Sequence, residues 1–118
     1  MGVALPKLVD FEEIERFSEA VEGYFGQRID ADRFTATRLQ QGVYGQRQDG
    51  VNMVRIKLPG GRLNAPQLGA IADALATYAE HDVVHITTRQ DIQMHYVPLA
   101  STPTVLRELA YAGLTTRE

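Results

Sequence analysis

Residues 83–97 read VVHITTRQDIQMHYV. Two short runs rich in β-branched and aromatic residues meet near Arg89-Gln90. The spacing therefore predicts strands over 83–88 and 91–97, joined by a tight connection. Successive side chains of a strand point to opposite faces. By that parity Val84 and Ile86 oppose His85, Thr87 and Arg89, while Ile92, Met94 and Tyr96 oppose Gln93 and His95. One side of each strand is apolar, and the other carries an arginine, an amide and imidazoles.

Working outward, VNMVRIKL (51–58) is a third β-run, ended by Pro59-Gly60-Gly61. Val54, Ile56 and Leu58 point one way, Arg55 and Lys57 the other. Asn64 is placed to cap a helix whose stripe is Leu68, Ile71, Ala72, Leu75 and Tyr78 or Ala79. Thr102-Pro103 is expected to supply an N-cap and a first-turn proline. Val105, Leu106, Leu109 and Ala110 then make a buried side, and Gly113 a stop. The order β-α-β-β-α predicts an α+β, ferredoxin-like unit without its final strand, which would leave a free edge.

Upstream, Asp10 and Glu13 have capping-box spacing, and Phe11, Ile14, Phe17 and Val21 recur at helical intervals, so residues 10–24 read as a helix. A weaker helical signal starts at Asp30, anchored by Phe34 and Leu39. RLQQGVYGQRQDG (38–50) is polar, carries three glycines and reads as an irregular connection. The organisation expected is an N-terminal helical extension over 1–37 followed by a half-domain over 38–118.

The chain's 118 residues, 44% hydrophobic and 23% charged, are those of one globular core. No apolar run approaches a membrane span, and the N-terminus lacks a signal peptide's apolar stretch. With no cysteine, the chain has no disulfide, thiolate nucleophile or thiolate metal ligand, and a cytoplasmic setting is expected. A net charge of −3 conceals asymmetry. Residues 1–22 carry six acids against Lys7 and Arg16, whereas Arg38, Arg47, Arg55, Lys57 and Arg62 face Asp49 alone over 38–62.

If the three strands pair, their polar sides gather Arg55, Lys57, His85, Thr87, Arg89, Gln93 and His95, among which no carboxylate occurs. Two readings stand. An antiparallel sheet commonly leaves one face in water. Alternatively, arginine forks and neutral donors without a counter-charge suit a carboxylate or oxyanion. His85 and His95 lack a third ligand for a metal site. RNA-binding sheets stack bases on central aromatics, and parity sends Tyr96 to the core side, so no nucleic-acid partner is expected.

GVYGQRQDG, NMVRIKLPGG and HITTRQDIQMHYV, in that order and with their spacers, resemble the ferredoxin-like half-domain of siroheme-dependent sulfite and nitrite reductases. The tail LRELAYAGLTT also fits. Those enzymes hold siroheme beside a 4Fe-4S cluster and reduce sulfite to sulfide or nitrite to ammonia. The resemblance implies that Arg55 lies near the bound oxyanion. It implies that Arg89, Gln93 and His95 contact siroheme with Thr87 or Thr88 close by, that Lys57 meets a macrocycle carboxylate, and that Gln46, Arg47 and Gln48 lie near the cofactor. A ferredoxin or flavoprotein donor, the remainder of a reductase chain, and no membrane partner are implied with it.

Two departures matter. The family's cluster is held by cysteines, which this chain lacks, so the 118 residues alone are expected to be inactive as an N-terminal part of a longer reductase. Tyr96 stands where related assimilatory enzymes often have glycine after the histidine. Precorrin-3B synthase shares the half-domain and is an alternative, as is a non-catalytic ferredoxin-like binding module.

Overall fold

The structure, a computed structural model, describes residues 9–46, 50–81, 84–87 and 91–118. Helices α1 (Phe11–Phe25) and α2 (Ala31–Gln40) come first, then strands β1 (Val43–Gly45) and β2 (Val51–Ile56). Helix α3 (Ala65–Tyr78), strands β3 (Val84–Ile86) and β4 (Ile92–Pro98), and helix α4 (Thr102–Tyr111) complete the chain. The sheet order is β1-β2-β4-β3, antiparallel throughout. An α+β, ferredoxin-like arrangement follows, as the sequence pattern predicts.

Local chemistry explains most of the boundaries. Asp10 and Asp30 cap α1 and α2 by accepting from the backbone N–H groups of Glu13 and Arg33. Asn64 and Gln67 form a reciprocal capping box at α3. The expected cap at α4 is different. Ser101 precedes the helix, Thr102 is its first residue, and the Thr102 hydroxyl donates backwards to the Leu99 carbonyl at 2.7 Å. A 3-10 turn, Leu99–Ser101, runs straight into the helix there and replaces a side-chain cap.

One core joins these elements. Ile14, Phe17 and Val21 of α1, Phe34 of α2, and Ile71, Ala74 and Leu75 of α3 meet Val54, Ile56, Ile92 and Met94 of the sheet and Val105, Leu106 and Leu109 of α4. The buried helical stripes lie slightly off the predicted positions. Phe11, Leu39 and Leu68 are exposed, Ala72 faces solvent, and Ala74 takes the inward place. Ile86 shares the apolar side of the sheet yet stays 81% exposed, so the helical layer stops short of the outer strand at that level.

The polar connection expected over 38–50 contains β1, a three-residue strand that follows Gly42 and ends on Gly45. Val43 is its buried anchor, opposite Val54. With Thr115, which bridges to Lys57, this strand covers the edge of β2 that was expected to be free. Gly42 makes the closure possible: its φ is +73°, and a Cβ there would sit 2.0 Å from the Thr116 carbonyl oxygen.

Candidate functional site

The cross-strand register builds the polar face in ranks. Arg55 of β2 is opposite Gln93 of β4, and Gln93 is opposite His85 of β3. Directly opposed residues share a face. Their neighbours Val54, Ile56, Ile92 and Met94 are buried on the helical side, which fixes the row Arg55–Gln93–His85 on the other. Tyr44 extends this face onto β1, because its opposite number is Met53 and both alternate with the buried pair Val43 and Val54.

At the β1 end the face is ionic. The Arg55 guanidinium lies 5.0 Å from the Tyr44 ring centroid, a cation–π placement. Asp91 Oδ2 lies 3.8 Å from Arg55 Nε and 3.7 Å from Lys57 Nζ. Glu118 reaches the same pair, 2.9 Å from Lys57 Nζ and 3.9 Å from Arg55 Nη1, and accepts from the Tyr44 hydroxyl. Burial alone would raise the Glu118 carboxyl. The hydrogen bonds from Tyr44 and Lys57 and the charges of Lys57 and Arg55 outweigh burial and lower it. Even so, Arg55 Nε is buried without a hydrogen-bond partner among the described residues.

The expectation of a face without carboxylates is therefore overturned. Asp91 shares the parity of Gln93 and His95 and was readable as part of the same run. Only 6% exposed, it turns its carboxylate to the two cations. Glu118 had no sequence signal, since it arrives through a tail tied by Thr116 to the Gln41 carbonyl and by its own N–H to Gln40.

At the β3 end the described residues bring imidazoles and amides together. The His95 and His85 rings lie 4.6 Å apart. His95 Nε2 lies 3.3 Å from Gln93 Oε1, and His95 Nδ1 lies 3.4 Å from Gln46 Nε2. Burial, and secondarily the charge of His85, lowers the His95 pKa and favours neutral imidazole.

Parity also fails at one place with consequences. Asn52 is opposite Val97 while Val54 is opposite Met94, so β4 carries one extra residue: a bulge. Tyr96 takes φ of +59° there, and Val97 fills the core in its stead. Tyr96 is thus not a core residue. Its ring lies 4.1 Å from that of His81. With Tyr44 on the polar face, the inference that this face lacks aromatics is also corrected.

Of the residues singled out from sequence, Arg55, Lys57, Gln93 and His95 come together on one surface, joined by His85 and Gln46. Thr87 follows β3, its N–H donating to the Asp91 carbonyl at 3.0 Å. Thr88, Arg89, Arg47 and Gln48 lie outside the described residues. Among the described residues no group of three or more His, Cys, Asp or Glu side chains could hold a metal ion, and no helix is long and apolar enough to cross a membrane.

A mixed sheet-and-helix unit with one helical and one polar face defines a ferredoxin-like half-domain. The chain belongs to the nitrite/sulfite reductase ferredoxin-like half-domain family, whose pattern it matches over residues 44–112. It is 40% identical over 63 residues to the ferredoxin–nitrite reductase of Synechococcus elongatus, covering 53% of this chain and 12% of that protein. It is 33% identical to the assimilatory ferredoxin-dependent nitrite reductase of Haloferax mediterranei, covering 90% of this chain and 20% of that one. The chain thus spans a fifth or less of these relatives. The solved structure of the Mycobacterium tuberculosis NirA protein aligns with a TM-score of 0.71 over 96% of this chain and 26% of that one. At 24% identity that likeness speaks for the fold.

Proposed function

We propose that this chain is part of a siroheme-dependent nitrite reductase. In this reading Arg55, Lys57, Gln93 and His95, with Thr87, Thr88 and Arg89 from the β3–β4 connection, form the seat for siroheme and the substrate anion. The observation that carries the reading is the row Arg55–Gln93–His85, whose buried Arg55 Nε, though near Asp91, has no hydrogen-bond partner among the described residues, in a chain of this family.

The donor set fits a carboxylate-rimmed macrocycle. Arg55 offers a fork and Lys57 a point charge, and Gln93 and His95 add neutral donors on the same surface. The internal carboxylates do not forbid this. Glu118 has a side chain 29% exposed and can give up its cations to a ligand carboxylate of the same charge. Asp91, at 8%, stays and keeps Arg55 and Lys57 oriented. Bound siroheme supplies the iron at which six electrons reach the substrate. Arg55 orients the anion and offsets charge that develops on its oxygens, an effect strengthened where water is excluded. Ligands for a 4Fe-4S cluster come from the remainder of the reductase chain, because this one has no cysteine. Nitrite as substrate and ferredoxin as donor follow the named relatives; sulfite and a flavoprotein are the competing pair.

The test is a reductase carrying this domain, assayed with reduced ferredoxin and either anion. Nitrite is expected to yield ammonia. Arg55→Ala should lower kcat/KM by roughly 10²-fold or more, the scale of losing one oriented donor at a charge-developing site. The 118-residue chain alone is expected to show no turnover. Full activity in the variant, or turnover by the isolated chain, contradicts the reading.

A further inference from the structure

The β3 end of the face contains a hydrogen-bond relay whose polarity can be deduced. The Tyr96 backbone N–H, a donor under all conditions, lies 2.7 Å from the Gln46 side-chain oxygen. A donor there requires the oxygen, not the nitrogen, of the amide. Gln46 Nε2 is thereby turned to His95 Nδ1 at 3.4 Å, and an NH₂ group can only donate. His95 Nδ1 must then accept, so the ring proton belongs on Nε2, which faces Gln93 Oε1 at 3.3 Å. With its oxygen accepting, Gln93 has its NH₂ group, which donates to no described residue, as the end that can meet a ligand.

We propose that Gln46 is a positioning residue, anchored on the Tyr96 bulge, that holds His95 neutral as the Nε2–H tautomer and so presents Gln93 to the ligand as a donor. An acceptor face toward a macrocycle carboxylate or an oxyanion would repel it, and this chain of three side chains prevents that. An imidazolium at His95 would set an N–H against the Gln46 NH₂, donor to donor. Among the described residues, the other titratable side chains around His95 are His85 of β3, its ring 4.6 Å away, and Tyr96 of β4, at 6.4 Å. A charged His85 opposes a second charge on His95, in agreement with the downward shift of His95. The ligand half of this inference rests on the siroheme reading; the tautomer half does not.

Long-range proton–nitrogen correlation NMR of the chain tests it. The wild type should show His95 protonated at Nε2 alone near neutral pH, with a midpoint below the ordinary histidine value. Gln46→Glu keeps the acceptor for Tyr96 but places a second acceptor at Nδ1. It should move the proton to Nδ1 and raise the midpoint by about one unit or more, the usual effect of an adjacent opposite charge. An Nδ1–H tautomer in the wild type overturns the proposal even if the variant fails to fold. An unchanged tautomer and midpoint in the variant overturns it as well. Should Arg55→Ala abolish siroheme retention in the reductase while Gln46→Glu leaves His95 unchanged, the relay falls and the seat stands.

Discussion

The two ends of the polar sheet face meet the same problem, half-buried polar groups on the side of the sheet away from the helices, in opposite ways. Around Arg55 and Lys57 full charges are opposed by Asp91 and Glu118, reached from a neighbouring strand and from the tail. Around His95 three neutral side chains satisfy one another in a line. Ion pairs can exchange a partner for a ligand of the same charge; a polarised amide–imidazole line cannot reverse without moving protons. The first end is built for exchange and the second for fixed orientation.

Perturbations should separate the two ends. Gly42→Ala is expected to have the largest effect on stability. The left-handed backbone alone costs about 1–3 kcal/mol for alanine, and the added Cβ meets the Thr116 carbonyl at 2.0 Å. Chemical denaturation should show that loss, with the tail and its Glu118 contact displaced and the His95 tautomer unchanged.

Asp91→Asn should cost about 2 kcal/mol, between the values typical of exposed and of fully buried pairs. Glu118→Gln should cost about 1 kcal/mol or less, because both partners are about a quarter exposed. If Glu118 proves costlier than Asp91, the assignment of exchangeable and permanent partners is reversed.

The pH dependence of the thermal midpoint sharpens the contrast. The His95 pKa is lowered on folding, so below its ordinary value of 6.5 the unfolded chain binds the proton first. Stability from this group is full above 6.5 and is lost as pH falls toward the folded value. Glu118 is lowered as well, so its contribution is full above 4.5 and lost as pH falls through its folded value. Two acid-side declines are expected in the wild type. Gln46→Glu should remove the upper one and Glu118→Gln the lower.

The smallest effect belongs to Tyr96→Gly. Glycine adopts a φ of +59° freely, which relieves about 1 kcal/mol of backbone strain. Loss of the ring contact with His81 offsets part of that gain. Calorimetry should find a change within about 1 kcal/mol.

Periodicity made the helices and strands β2, β3 and β4 legible, because burial on one side imposes a repeat that survives in the residues themselves. It placed Arg55, Lys57, Gln93 and His95 on one surface for the same reason. Strand β1 was hidden because its three residues, the last of them Gly45, hold only one buried anchor, Val43. The bulge was hidden because an extra residue leaves composition unchanged while inverting parity after His95, which takes Tyr96 off the core side. Asp91 shares the parity of Gln93 and His95 and is legible on that face, whereas the approach of Glu118 depends on tail contacts at Gln40 and Gln41 that no local pattern encodes.

Siroheme retention in a reductase carrying this domain tests the polar face most directly. Visible absorbance per protein would be compared among wild type, Arg55→Lys, Arg55→Ala and a control, Arg16→Ala, on α1. Retention should survive in the control, weaken in Arg55→Lys, where the fork is lost and the charge kept, and fall at least about tenfold in Arg55→Ala. Equal siroheme content in all four proteins would contradict a cofactor seat on this face.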